Sequence, residues 1–336
     1  KALNTTALPA ATIPDGSANF EAKLYTGNGG TNTITGLEFS PDWTWIKKRN
    51  SNSYHSIHDT VRGATKRLRS DSNAAETTET TALTAFTSDG FTLGSGGTAN
   101  GNNDSFVSWN WDAGSSTVSN TDGSVTSSVR ANPSAGFSII GYTGTGSALS
   151  IGHGLNATPT MFIQKNRSSS EIWRVYYTVV DGSLDFLRLN TTGSKSDSSN
   201  NLPTSSVIHI SGTSGDDYIV YAFTPVAGYS AIGSYTANGS SDGPYVQTGF
   251  AVAWLMTKRT NSAASWEIHD LRRPGYNPQD GRLFPDSTAA DGTGNDVDLL
   301  SNGFKIRNSF SGMNGSDGDT YIYLAFAENP FQANGG

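Results

Sequence analysis

The sequence contains no cysteine and few charged residues. The absence of Cys excludes disulfide bonds, thiolate catalysis and zinc sites with cysteine ligands. Only 15% of the 336 residues are Asp, Glu, Lys or Arg, against about 25% in an average soluble domain. The chain also lacks a run of about 18 apolar residues, so no membrane-spanning helix is predicted. Core burial and assembly must therefore supply the stability.

Two further classes are excluded by the charge balance and the aromatic content. The formal charge is −7, from 22 Lys+Arg and 29 Asp+Glu, and nucleic-acid-binding domains are usually basic. The 7 Trp, 13 Tyr and 15 Phe argue against intrinsic disorder, which goes with few aromatic residues. At roughly 100–200 residues per domain, the length predicts two or three domains.

The residues that are abundant favour strands and turns. Ser, Thr and Asn make up about a third of the chain, well above average composition, and Gly contributes 38 residues. No window of 12 or more residues keeps a helical apolar period, whereas several short segments alternate aromatic with small residues. Such alternation is typical of a strand with one buried face. The sequence therefore predicts an all-β fold.

Three segments of the chain carry the same anchors in the same order. Each contains an aromatic strand that ends in basic residues, and these strands lie at 43–49, 161–167 and 253–259. Each closes on an alternating strand, at 106–111, 218–223 and 321–326. Arg49, Arg167 and Arg259 stand 118 and 92 residues apart. This spacing indicates tandem domains rather than a solenoid of 20–50-residue units.

The predicted architecture is three tandem β-sandwich repeats, jelly-roll or lectin-like, of about 90–110 residues each. The predicted divisions are an N-terminal extension (1–19), repeat 1 (20–114), a Ser/Thr/Asn-rich linker (115–136), repeat 2 (137–228), repeat 3 (229–331) and a C-terminal tail (332–336). The junction between repeats 2 and 3 is short, so we expect these two repeats to pack together.

Aromatic residues are the candidate binding residues. On a strand, residues two apart point to the same face, so Trp43/Trp45 and Trp109/Trp111 each place two rings together. Such rings either fill a core or, where exposed, form a stacking platform for sugars. The candidates are Trp43, Trp45, Tyr54, Trp109, Trp111, Trp173, Trp254 and Trp266.

Catalytic and metal-binding motifs are weak. His58-Asp59 and His269-Asp270 place an imidazole beside a carboxylate, but neighbours on a strand point to opposite faces. No catalytic residue is therefore predicted, and no enzyme. The acidic turns 291–298 and 314–319 could bind calcium through oxygen ligands, although neither fits the 12-residue calcium loop; no other cofactor or metal is predicted.

Basic residues concentrate at 47–49 and at Arg62, Lys66, Arg67 and Arg69. Two alternatives stay open for them. They either contact an anionic glycan or a neighbouring subunit, or they are solvated charges at strand ends that prevent pairing with other chains.

Several motifs resemble a repeat domain of marine tailed bacteriophages. They are Tyr25-Thr26-Gly27-Asn28-Gly29-Gly30, the segment 41–47, Ser88-Asp89-Gly90-Phe91 and the segment 321–331. In that family the repeat occurs in virion structural and tail-fibre-like proteins. Repeat 2 departs from the pattern, since it lacks the Ser-Asp-Gly-Phe element. The resemblance implies an extracellular virion component and supplies no catalytic residues.

The expected function is therefore a phage virion structural protein, a tail fibre or adhesion appendage that acts by multivalent binding and assembly. The expected partners are other virion proteins, further copies of the chain (a trimer, by analogy with fibres, unless the three repeats supply the threefold arrangement within one chain) and a host-surface glycan. The alternatives are a capsid-decorating protein, a carbohydrate-binding module and a polysaccharide depolymerase.

Overall fold

A computed structural model describes residues 13–273 and 276–328, except for the side chain of Asn295. It is 43% strand and 1% helix, which confirms the all-β prediction. The helical residues within these ranges form one short helix, α1 (Gly97–Asn100). None of the described residues belongs to a helix with the length and hydrophobicity needed to cross a membrane.

The strands fall into three groups along the chain. The first unit contains β1 (Phe20–Thr26), β2 (Asn32–Ile34), β3 (Trp43–Lys48), β4 (Ser56–Asp59), β5 (Lys66–Arg67), β6 (Thr77–Thr78), β7 (Leu83–Thr87), β8 (Gly90–Leu93) and β9 (Ser105–Trp111). The second unit contains β10 (Thr117–Asn120), β11 (Ser127–Asn132), β12 (Phe137–Thr143), β13 (Ala148–Gly152), β14 (Met161–Asn166), β15 (Arg174–Tyr177), β16 (Asp185–Arg188), β17 (Ser196–Asp197), β18 (Val207–Ser211) and β19 (Asp217–Phe223). The third unit contains β20 (Ser230–Thr236), β21 (Tyr245–Gln247), β22 (Trp254–Arg259), β23 (Glu267–Asp270), β24 (Gln279–Arg282), β25 (Gly292–Leu300), β26 (Gly303–Ile306) and β27 (Thr320–Phe326).

One strand order occurs three times. The sheet β1-β9-β3-β4 of the first unit has the same order as β12-β19-β14-β15 in the second and β20-β27-β22-β23 in the third. All of these pairs are antiparallel, and the predicted closing strand of each unit lies second in this four-strand order. We call these the inner sheets. The repeat boundaries stay a prediction.

Each unit also has an outer sheet whose apolar side chains pack against its inner sheet. The outer sheets are β2-β8-β7, β13-β18 and β21-β26-β25-β24. In the first unit, for example, Ile46 and Phe106 of the inner sheet share a core with Phe91 and Leu93 of the outer sheet. The other two units have equivalent cores. Each unit is therefore sandwich-like.

The second faces of the three inner sheets meet in one shared aromatic core. Ring centroids of Trp43 and Tyr221 lie 4.5 Å apart, joining the first and second units. Phe326 of the third unit lies 5.2 Å from Phe20 and 6.1 Å from Phe223. The closing strands are thus buried on both faces. The prediction of a single buried face was wrong, because each inner sheet packs both within its unit and against the other units.

The polar segment expected to be a linker is part of a sheet. Within 115–136, β10 and β11 pair with each other, and β11 pairs with β12, so they add two strands to one edge of the inner sheet of the second unit. With β16 and β17 at the other edge, this sheet has eight strands. Ser, Thr and Asn suit this position because β10 is an exposed edge strand. The segment that connects the first unit to the second is therefore largely strand and belongs to the sheet of the second unit.

A buried lysine from each inner sheet also joins two units. Each ammonium group donates a hydrogen bond to a backbone carbonyl of another unit. The pairs are Lys47 with Thr288 (3.1 Å), Lys165 with Asn73 (3.2 Å) and Lys258 with Thr192 (3.2 Å). The lysine of the first unit thus bonds to the third unit, that of the second unit to the first, and that of the third unit to the second. Each unit contacts the other two.

Candidate functional site

The tryptophans proposed as binding residues are core residues. Trp43, Trp45, Trp109, Trp111, Trp173, Trp254 and Trp266 are at most 2% exposed. All seven belong to the shared aromatic core. They present no stacking platform to a ligand, because the three inner sheets cover them. Of the two alternatives left open by the sequence, the core alternative holds for every tryptophan.

Tyr54 is the one proposed binding residue that the structure places at the surface. Its side chain is 45% exposed, and the Arg69 guanidinium lies 4.8 Å from its ring centroid. A single ring held by a cation–π contact can stack on one sugar but forms no extended platform.

The two His-Asp pairs do not form catalytic dyads. His58 Nδ1 lies 2.7 Å from the Ala64 carbonyl, whereas Asp59 accepts a hydrogen bond from Tyr221 at 2.7 Å. Both residues are fully buried, and burial lowers the pKa of His58 to about 3. The opposite orientation expected for neighbours on a strand is confirmed. The same separation occurs at His269-Asp270, where Asp270 pairs with Arg273.

The basic residues singled out from the sequence are bonded within the chain. Lys48 pairs with Asp104 at 2.6 Å, and Arg49 pairs with Asp291 of the third unit at 3.1 Å. Arg62 is fully buried between Asp59 and Glu76. Lys47 and Arg62 are buried and bonded within the chain, so neither the glycan nor the solvated-edge alternative describes them.

An open groove lies on the second unit, which the motif resemblance covers least. Its volume is about 720 Å³. It runs past the outer strands β13 and β18 and the ends of β15 and β19. Hydroxyl, amide and imidazole side chains line most of it: Ser124, Ser147, Ser150, Ser199, Asn200, Asn201, His209 and Thr213. No sequence motif marked this groove, because its residues come from five separate segments.

One ion pair crosses the groove wall. Glu171 is bonded to Arg174, and it also accepts hydrogen bonds from Tyr218 at 3.2 Å and from Asn166 at 3.1 Å. Burial alone would raise the pKa of Glu171, but these donors lower it below the ordinary value. Burial alone would likewise lower the pKa of Arg174, and Glu171 raises it. The groove therefore offers fixed charges of both signs among neutral hydrogen-bonding groups.

The groups that could hold a metal lie elsewhere, in the third unit. Of the acidic turns considered for calcium, 291–298 is mostly strand β25, and Asp319 in 314–319 pairs with Arg259 at 2.5 Å. Instead, Glu267, His269 and Asp296 bring ligand atoms within 4.8 Å of one another. The Glu-x-His spacing on β23 was visible in the sequence, but the pairing with Asp296 depends on how two sheets face each other.

The chain belongs to the family described as Domain of unknown function (DUF7483), whose profile matches residues 15–330. No curated protein matches it.

Proposed function

We propose that the chain is a structural component of a phage virion, a tail-fibre or adhesion appendage that acts by multivalent binding and assembly. The motifs at 25–30, 41–47, 88–91 and 321–331 support the phage assignment through their resemblance to virion repeats. Three sandwich-like units around one core support a rigid particle component, because a shared core and the inter-unit ion pairs Arg167–Glu76 and Arg130–Asp42 restrict movement between units.

The polar groove of the second unit is the observation that supports adhesion to a glycan. Sugars present many hydroxyl groups, and a groove of Ser, Asn, Thr and His side chains can donate to and accept from them. The Glu171–Arg174 pair adds charge-assisted hydrogen bonds, which are stronger than neutral ones. Specificity in such a groove comes from fixed polar groups rather than from stacking.

Binding is favoured over hydrolysis by the carboxylates available. Glycoside hydrolysis normally uses two carboxyl groups, one of them with a raised pKa. Glu171 is the carboxylate among the residues that line the groove, and its pKa is lowered. We therefore propose a glycan-binding adhesin rather than a depolymerase.

Replacing Arg174 by alanine is expected to weaken glycan binding at least about tenfold, because a hydrogen bond to a charged group contributes about 1.5–3 kcal/mol. The measurement is titration of the purified protein against surface polysaccharide of the host bacterium. Arg188→Ala is the matched control. Arg188 lies opposite Arg174 on β16, and each packs over Phe186, at 5.2 and 5.9 Å, but Arg188 does not line the groove.

Equal affinity of the two variants would contradict the groove assignment. Loss of binding in both variants would point to a general effect on the sheet, which circular dichroism of each variant would reveal. Failure of the wild-type protein to compete with infection at saturating concentration would refute the adhesion proposal.

The position of the chain in an intact particle separates the adhesin from a capsid-decorating protein. Gold-labelled antibody is expected to mark the tail or its fibres in a few copies, whereas a decorating protein would be marked all over the head. Absence from purified particles would refute the virion proposal. The oligomeric state can be measured on the same particles. A homotrimer is proposed by analogy with fibres, although the three units already surround one core within a single chain.

A further inference from the structure

Three buried ligand-type side chains converge inside the third unit. Glu267 and His269 lie two residues apart on β23, so they point to the same face of the inner sheet. Asp296 lies on β25 of the outer sheet. Glu267 and His269 are 0% exposed and Asp296 is 2% exposed. The cluster therefore spans the interior between the two sheets of one unit.

Glu267 lacks the hydrogen bonds that a buried carboxylate needs. Neither of its carboxylate oxygens has a partner among the described residues, and His269 Nδ1 also has none. A carboxylate buried in this way is costly unless it is paired or coordinates a metal. A bound cation would supply the missing partner.

The distance between His269 and Asp296 fits two ligands of one metal ion. Nε2 of His269 lies 3.5 Å from Oδ2 of Asp296, which is long for a hydrogen bond between charged or polar groups. Two ligands at about 2.1 Å from a tetrahedral cation stand about 3.4 Å apart. The other oxygen of Asp296 accepts a hydrogen bond from Asn308, and the Arg282 guanidinium lies 3.5 Å from both oxygens. Such an outer contact is typical of a carboxylate that is held in place to coordinate a metal.

The equivalent positions of the other units show no such deficit. In the first unit the equivalents of Glu267 and His269 are Ser56 and His58, by their places on β4. Nδ1 of His58 contacts the Ala64 carbonyl and Nε2 contacts Ser56. In the second unit these positions hold an arginine and a tyrosine. The carboxylate without partners is particular to the third unit.

We propose that Glu267, His269 and Asp296 bind one divalent transition-metal cation of the zinc type, which joins the inner and outer sheets of the third unit. One imidazole and two carboxylates suit such a cation, whereas calcium prefers oxygen ligands alone. Because the three side chains are buried, the ion is structural and does not meet substrate. This inference does not depend on glycan binding or on the virion assignment.

The metal content of untagged protein tests the proposal. Full-length wild-type protein, dialysed against ZnCl₂ and then against buffer, is expected to retain about one zinc per chain by mass spectrometry. Glu267→Gln keeps the shape of the side chain and removes its charge, so we expect zinc affinity to fall at least about tenfold. Glu79→Gln is the matched control, since Glu79 lies outside the cluster and contacts Thr81.

Thermal unfolding supplies a second readout on the wild-type chain alone. Removing zinc with a chelator is expected to lower the Tm by at least about 2 °C, and ZnCl₂ but not CaCl₂ is expected to restore it. Absence of retained zinc together with a Tm insensitive to ZnCl₂ would overturn the proposal, as would equal zinc affinity in wild type and Glu267→Gln. If the variant does not fold, the zinc content and Tm response of the wild type decide. Restoration by CaCl₂ alone would reject a zinc-type ion.

Discussion

Replacing Trp111 by alanine is expected to lower the free energy of unfolding by about 3–5 kcal/mol, the range for removing a large buried aromatic side chain. Trp111 is 1% exposed. Its ring lies 4.3 Å from Trp43 of the first unit, 6.5 Å from Phe137 of the second and 5.6 Å from Trp254 of the third. The cavity would therefore open where all three units meet.

The measurement is urea denaturation followed by circular dichroism, which reports on all three units together. We expect the wild type to unfold in one transition, because no unit can keep its inner sheet covered without the other two. Trp111→Phe should cost less than Trp111→Ala, since it leaves a smaller cavity. Tyr245→Ala is the surface control: Tyr245 is 45% exposed, and its loss should change stability by at most about 0.5 kcal/mol.

A loss below about 1 kcal/mol for Trp111→Ala would contradict a core shared between units. Separate transitions in the wild-type protein would contradict it as well, and would instead favour tandem domains that fold independently.

Replacing Asp59 by asparagine is expected to lower the free energy of unfolding by about 3 kcal/mol, because it leaves a buried guanidinium without its main counter-charge. Asp59 and Arg62 are bonded to each other, and both side chains are 0% exposed. Tyr221 of the second unit donates a hydrogen bond to Asp59 at 2.7 Å. Burial alone would lower the pKa of Arg62, and Asp59 is the main group that raises it. A guanidinium keeps its proton at neutral pH even without this partner, so the arginine stays charged in the variant. Glu76, 3.1 Å from Arg62, retains part of the stabilisation.

The third unit offers a matched variant. Asp270 and Arg273 are bonded at 2.7 Å and fully buried, and the indole of Trp109 in the first unit donates to Asp270 at 2.9 Å. Asp270→Asn should therefore destabilise by a similar amount in the same urea experiment. Asp317→Asn, at an exposed position, serves as the control and should have little effect. A loss under about 1 kcal/mol for both buried variants would show that these two aspartates, each of which accepts a hydrogen bond from a neighbouring unit, do not hold the units together.

The hydrogen bond from a neighbouring unit to this aspartate occurs at two of the three junctions. The equivalent position of the second unit explains its absence at the third. There Tyr177 replaces the aspartate, and its buried hydroxyl has no partner among the described residues. The residue of the third unit equivalent to Tyr221 and Trp109 is Leu324, which cannot donate a hydrogen bond. Both sides of the polar contact are thus missing at the junction of the second and third units. There Trp266 donates to the Arg188 carbonyl at 2.9 Å, a contact that has a counterpart at the junction of the first and second units.

The sequence by itself determined the all-β class and the positions of the three closing strands. Alternation of aromatic and small residues located β9, β19 and β27 to within one residue, because a period of two is a local property of strands. The same pattern could not show that both faces are buried. Burial of the second face depends on neighbouring units, and no local period reports on them.

Only the tertiary structure decided which residues could meet a ligand. The tryptophans suited both a core and a sugar platform, since both uses favour large aromatic rings. Packing of the three inner sheets assigned them to the core. The groove of the second unit and the Glu267–His269–Asp296 cluster are assembled from segments distant in the chain. Their side chains meet because two sheets pack face to face. The period of a single strand does not predict which sheets pack together, so the sequence spacing does not report these contacts.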